Sequence, residues 1–212
     1  MSIAQSSLDD LYPQSCPFCS IAQAFPFQSI PSSSNPLLSH PELPKEVLLS
    51  CIPDEGSIEP EKIDPACWII LNSENVLAFL DILPMTKGHL LVATRAHRQK
   101  LQDVGSQESM DIGFWLPLLS LAVMRTLGIT DYNIVQNNGA RAAQVVPHVH
   151  FHIIPRPETM PEVKNKSWTM FGRGTREDLD EEEAGVLAAK IRGELRKLLN
   201  NKFDDLEIKA KL

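Results

Sequence analysis

The stretch VPHVHFHIIPRP constrains this chain most, because it sets His148, His150 and His152 at alternate positions among apolar residues. Successive side chains of a β-strand point to opposite faces, so the period of two predicts a strand over 146–154 with three imidazoles on one face. Val149, Phe151 and Ile153 then take the other face and can anchor the strand on a core. The chain has six histidines, so half of them project from one rigid element. A lone histidine on a strand is most simply a half-exposed polar residue. Three in strict alternation, in a chain poor in histidine, point to chemistry. An imidazole with an ordinary pKa of roughly 6.5 serves near neutrality as nucleophile, metal ligand or proton donor. The triplet alone does not divide those roles.

The rest of the chain narrows them. A length of 212 residues fits one domain with a proper core and room for an insertion. A net charge of −7 argues against a general binder of nucleic acid or anionic membrane. Residues 1–15 are polar and aperiodic, without the basic start and apolar core of a secretory signal. No run approaches the roughly 20 apolar residues of a membrane span. The expected location is the cytoplasm, the nucleus or both, where four cysteines stay reduced.

Cys16-Pro-Phe-Cys19 opens the ordered part and leads into a short helix. A redox reading of this pair lacks the preceding strand it normally has; a metal reading needs two further ligands, and histidine is in supply. From about residue 23 to 65 the sequence is rich in Pro and Ser. It reads as a long surface insertion with a short strand at Val47–Cys51, and His40 and Cys51 as bystanders. The folded body starts near Cys67. Strands are predicted at 67–71, 76–80, 89–94 and 131–136, the first two forming a hairpin. The apolar positions Ile112, Trp115, Leu116, Leu119, Val123 and Met124 predict a helix over 106–127, kinked or divided at Pro117. Its broad apolar face calls for cover from the sheet and from either a partner subunit or the C-terminal segment. A second long helix is expected over 181–200, capped by Asp180. Five antiparallel strands and two main helices make the fold class α+β.

With these pieces in place, His148-Val-His-Phe-His-Ile-Ile154 is similar to the signature of the histidine-triad nucleotide-binding (HIT) family. VLAFLDILPMTKGHLL, residues 76–91, resembles that family's upstream block, and His97 follows His89 at the family's spacing. Asn137-Asn-Gly139 and Gln144 resemble its phosphate loop, and Phe18 its opening segment. The resemblance spans 16–22 and about 67–157, leaving 158–212 as a C-terminal extension. It is nearest the Hint-like branch.

The resemblance implies a hydrolase acting at the α-phosphate of a purine ribonucleotide conjugate, such as an adenosine phosphoramidate. His150 would be the nucleophile and form a covalent nucleotidyl intermediate; His152 would steady the phosphate and His89 would support the array. Phe18, Phe79 and Ile82 would enclose the base, and Asp81 would take the ribose hydroxyls. Asn137, Gly139, Gln144, Val145 and Val146 would meet the phosphate. Cys16, Cys19, His97 and His148 would hold a structural zinc, with no organic cofactor. A homodimer with a continuous ten-stranded sheet is implied as well. Val145 departs from the pattern, since many members place a Ser or Thr there to assist the leaving group. Two alternatives use the same residues or fewer: hydrolysis or phosphorolysis of a dinucleoside polyphosphate, and a non-catalytic nucleotide-binding module that engages a protein through its insertion and C-terminal helix. Trp168, Phe171 and Arg173 are further candidates for the edge of the site.

Overall fold

The computed structural model describes residues 15–28, 44–158 and 179–210, with side chains described to residue 201. The tail up to residue 14, His40, Trp168, Phe171 and Arg173 lie outside the described residues. Among the described residues four α-helices and five strands follow one another as α1 (Pro17–Ala24), α2 (Lys45–Ser50), β1 (Ile69–Asn72), β2 (Val76–Leu80), β3 (Leu90–Thr94), α3 (Ser106–Leu127), β4 (Tyr132–Gln136), β5 (His150–Pro155) and α4 (Glu181–Ala210). The strands form one antiparallel sheet in the order β1-β2-β3-β5-β4. The α+β expectation holds.

Through β1, β2 and β3 the sheet is buried on both faces, and strand alternation sorts its side chains into two cores. Val76, Ala78, Leu80, Leu90, Val92 and Ile153 meet α3 and α4 on one side. Leu77, Phe79, Leu91 and Ala93 meet α1 on the other, with Phe18, Ile21 and Phe25. β5 obeys the same rule. Ile153 and Phe151 join the helical core, which leaves His150 and His152 on the α1 side. The strand begins at His150 and not at Val146; the amide of Val149 is taken by Arg98 O at 2.7 Å, so His148 stands on the bend that delivers the strand.

Helix α3 spans the expected residues in one piece. Pro117 does not divide it. The missing Pro N–H would have met Gly113 O, and both residues lie on the exposed side of the helix, where water can satisfy the orphaned carbonyl. At the N-terminus, buried Glu108 accepts from Gly105 N at 2.7 Å and pairs with Arg98 at 2.9 Å. By length and composition this helix could cross a membrane. Here Trp115, Leu119 and Val123 are fully buried in the core instead, and Leu187, Ile191, Leu195 and Leu198 of α4 join the same cluster. The C-terminal segment therefore supplies cover for the broad apolar face of α3. Helix α4 starts with the expected cap, Glu183 N donating to Asp180 Oδ1 at 2.8 Å, and runs to Ala210, beyond the expected end at 200.

The insertion corrects the sequence reading most. Val47–Cys51 is not a strand: Lys45–Ser50 is helical, and Leu48, Cys51 and Ile52 are buried in the main core. Arg196 of α4 fastens the following turn by donating to Ile52 O and Pro53 O at 3.0 and 2.7 Å. Cys51 is a core residue, its thiol pushed up to about 12 by burial. The described parts of the two segments that an interaction-module reading would offer to a partner thus bury their apolar sides in the main core.

Candidate functional site

A cleft of about 900 Å³ lies on the α1 side of the sheet. Its floor is a row crossing the strands: Phe79 pairs with Leu91, Leu91 with His152, and His152 with Val135, and all four line it. Phe18 and Ile21 of α1 form one wall. Val145 and Val146, from the loop before β5, form another. The far end is closed by Ile63, Asp64, Pro65 and Ala66, so the end of the insertion shapes the cleft, which the sequence pattern did not reveal.

His150 is buried at the centre. Its ring stands edge-on to Phe18 at 5.0 Å and to His152 at 4.8 Å between centroids. His150 Nδ1 donates to His148 O at 2.6 Å, which fixes the tautomer and leaves Nε2 with its lone pair. Burial holds its pKa below the ordinary histidine value, opposed in part by that hydrogen bond. The ring is therefore neutral near pH 7, as a nucleophile must be.

His152 Nδ1 lies 2.9 Å from His89 Nε2. His89, fully buried just ahead of β3, turns its Nδ1 to Asp81 Oδ2 at 3.2 Å, and Met85 N is also 3.2 Å from that nitrogen. The other Asp81 oxygen accepts from Leu83 N at 2.9 Å. Gly88 makes this turn possible. Its φ is +82°, and a Cβ there would stand 2.7 Å from Leu127 Cδ1.

At the other end of the histidine row, Cys16, Cys19, His97 and His148 bring four donor atoms within 4.8 Å of one another. Cys16 Sγ and Cys19 Sγ lie 3.3 and 3.7 Å from His148 Nδ1, and Cys19 Sγ lies 3.3 Å from His97 Nδ1. His148 Nε2 donates to Thr94 O at 2.7 Å, so Nδ1 keeps its lone pair for a ligand role. Burial pushes His148 down to about 4, which favours the neutral ring that a metal requires. A closed Cys2His2 set with such spacing fits a structural zinc. Thr94, whose carbonyl orients the ligand, carried no signal in the sequence.

The loop between β4 and β5 divides its residues between cleft and framework. Asn137, Ala143, Val145 and Val146 line the cleft. Gly139 and Gln144 do not. The Gln144 side chain is buried, accepting from Gly139 N at 2.6 Å and donating to Gln99 O at 2.7 Å, so it braces the loop. Gly139 has φ +89°, a conformation that glycine takes without strain. Ala143 has φ +61° and does carry strain, at the lip of the cleft. Val145 is 81% exposed. Phe79, Asp81 and Ile82 all line the cleft beside Phe18. Arg95 holds the roof by donating to Ala22 O and Phe25 O at 3.2 and 3.0 Å and also binding Asn72 Oδ1.

A family model described as the HIT domain matches residues 65–159. The chain is 44% identical over 96 residues to the adenosine 5'-monophosphoramidase of Schizosaccharomyces pombe, a match covering 45% of this chain and 69% of that one. Among solved structures it is similar to a histidine triad nucleotide-binding protein from Sulfolobus tokodaii, with TM-score 0.54 and 25% identity over 62% of this chain and 85% of the other. It is similar also to a zinc-bound histidine triad protein from Mycobacterium smegmatis, with TM-score 0.51 and 29% identity over 64% and 90% of the two chains.

Proposed function

The chain belongs to the histidine-triad (HIT) family, and from that premise we propose that it is a hydrolase of purine ribonucleotide conjugates of the adenosine phosphoramidate type, working through nucleotidyl-His150. The observation that carries this reading is the 2.6 Å bond from His150 Nδ1 to His148 O, which presents a neutral, oriented Nε2 from the cleft floor. That nitrogen attacks the α-phosphorus, an N–P bond forms, and the bond to the leaving group breaks as a proton passes to it from His152, the neighbouring imidazole on the floor. Water then gives a proton back to His152 and attacks phosphorus, the N–P bond breaks, and the nucleoside monophosphate leaves with His150 restored. Phe18, Phe79 and Ile82 enclose the base, and Asp81 is within the cleft for the ribose. Asn137 and backbone N–H groups at Val145 and Val146 meet the phosphate oxygens, where such donors act on developing charge.

Zinc, when bound by Cys16, Cys19, His97 and His148, supplies a cross-link and no chemistry. It holds α1, and Phe18 with it, over His150. A homodimer belongs to this reading too. Exposed Tyr132 and Ile134 on the edge strand β4 support it, and light scattering at micromolar concentration tests it. The four free cysteines suit the cytoplasm or nucleus.

A second reading, cleavage of a dinucleoside polyphosphate, is favoured by Val145: an exposed valine offers no proton, and a polyphosphate leaving group needs none. Intact mass after brief mixing with adenosine 5'-phosphoramidate tests the nucleophile. A nucleotidyl adduct on the wild type and none on His150→Ala supports it. Turnover by His150→Ala at the wild-type rate refutes it.

A further inference from the structure

The end of the cleft that receives the base is built by the last residues of the insertion. Phe18 and Phe79 meet edge-on there at 5.3 Å between centroids, and half-buried Ile63 packs against the same cluster. The chain is fastened on both sides of the residue that follows. Lys62 N donates to Glu59 O at 3.1 Å, and the amide of buried Cys67 donates to Pro60 O at 3.0 Å. Asp64 is thus presented to the cleft from a held segment. Among the described residues no lysine or arginine lines the cleft, and none makes an ion pair or hydrogen bond with the Asp64 carboxylate. Its two oxygens are free to accept.

The edge of a purine farthest from its ribose carries N1 and the groups on C2 and C6. With the phosphate at His150 and the ribose by Asp81, that edge arrives at Asp64. Guanine presents two donors there side by side, N1–H and N2–H, which match the two oxygens of a carboxylate. Adenine presents one N6–H beside the lone pair of N1, and an acceptor-only carboxylate repels that lone pair. We infer that Asp64 is a specificity-determining residue that makes guanosine conjugates the preferred substrates of this cleft. The selectivity rests on the nucleotidyl-His150 reading and adds the base to it. Asp64 is exposed, so water competes for the carboxylate and the preference is moderate, ~10-fold for a bidentate contact of this kind. The contact lies away from the reacting phosphorus and is made equally before and during reaction, so it is read in KM and not in kcat.

Guanosine, inosine and adenosine 5'-phosphoramidates share ribose, phosphate and leaving group, and they separate this role from general packing. The wild-type protein is expected to show a kcat/KM ~10-fold higher for guanosine than for adenosine, carried by KM. Inosine, which keeps N1–H and lacks the N2 amino group, should fall between them. Asp64→Asn keeps the shape and turns one of the two acceptors into a donor. An amide suits adenine, accepting from N6–H and donating to N1, and it leaves guanine with one matched contact and one clash of donors. The variant is therefore expected to reverse the order, adenosine overtaking guanosine, while kcat on each substrate moves under about twofold. Partial unfolding cannot produce a reversal, because it lowers all three activities alike. A wild-type preference below about threefold, or one that Asp64→Asn leaves in place, would overturn the assignment. An adduct on His150 with any of the three nucleotides keeps the proposed function standing in that event, and no adduct with any of them ends both.

Discussion

His148 and His152 sit four residues apart on one face of one segment, yet their surroundings give them opposite characters. Around His148 everything is committed. One ring nitrogen donates to Thr94 O, the other faces two thiols, and no proton is free to move. Around His152 the partner is another imidazole, backed by a carboxylate, and protons have two places to be. The lesson is that a histidine's role is set by what holds its second nitrogen. His150, between them, has its second nitrogen on a backbone carbonyl, which can neither titrate nor ligate in exchange; that leaves it a nucleophile.

Changes along the row should sort by that partner. The largest effect is expected at the middle position, where His150→Ala should lower kcat by at least ~10⁴-fold with little change in melting temperature, checked by steady-state kinetics and calorimetry. Breaking the His148 end should do the reverse. Chelation of zinc, or the double change Cys16→Ser with Cys19→Ser, should cost about 3 kcal/mol, or roughly 10 °C in Tm, with chelator having no further effect on the double variant. If chelator leaves the wild-type Tm unmoved, the two ends of the row are less different than drawn.

Thiol labelling sharpens the same contrast. After chelation at pH 8, Cys16 should react first with an alkylating reagent and Cys19, pushed up to about 11 by burial and by its neighbour Cys16, more slowly, while the buried Cys51 and Cys67 stay protected. Burial pushes both of the latter up to about 12, so their thiolate fraction at that pH is negligible and rises only as pH approaches that value. Mass spectrometry of the labelled protein reads the pattern. The smallest effect belongs to the loop that feeds the row. Ala143→Gly should relieve the left-handed strain and stabilise by about 1 kcal/mol, seen as a Tm rise of a few degrees.

Much of this was legible beforehand because periodicity is a local signal. The alternating histidines, the span 106–127 and the Asp180 cap each declare themselves within a few residues. What stayed hidden depends on contacts between distant segments. KEVLLS is short and carries Val47 and two leucines, so its own pattern suits a strand as well as a helix; docking of Leu48 into the α4 core decides for the helix. Gln144 looked like a substrate contact, since a polar loop residue near a nucleotide motif has no local mark of being a brace. Nor does anything in a loop sequence show that the Asp81 carboxylate lies beside a histidine eight residues on. Ile63–Ala66 closing the cleft is of the same kind.

The roof of the cleft has a consequence for how this protein assembles. Helix α1 precedes the whole sheet, but its anchors come much later: Arg95 is 73 residues from Ala22, His97 is 78 from Cys19, and His148 is 132 from Cys16. Contacts that close such long stretches of chain carry a high loop entropy and form late. On the ribosome the roof is thus made before its foundations and placed after them. The hairpin and α3 can collapse first, and the cleft exists only once the histidine row has emerged to receive the cysteines.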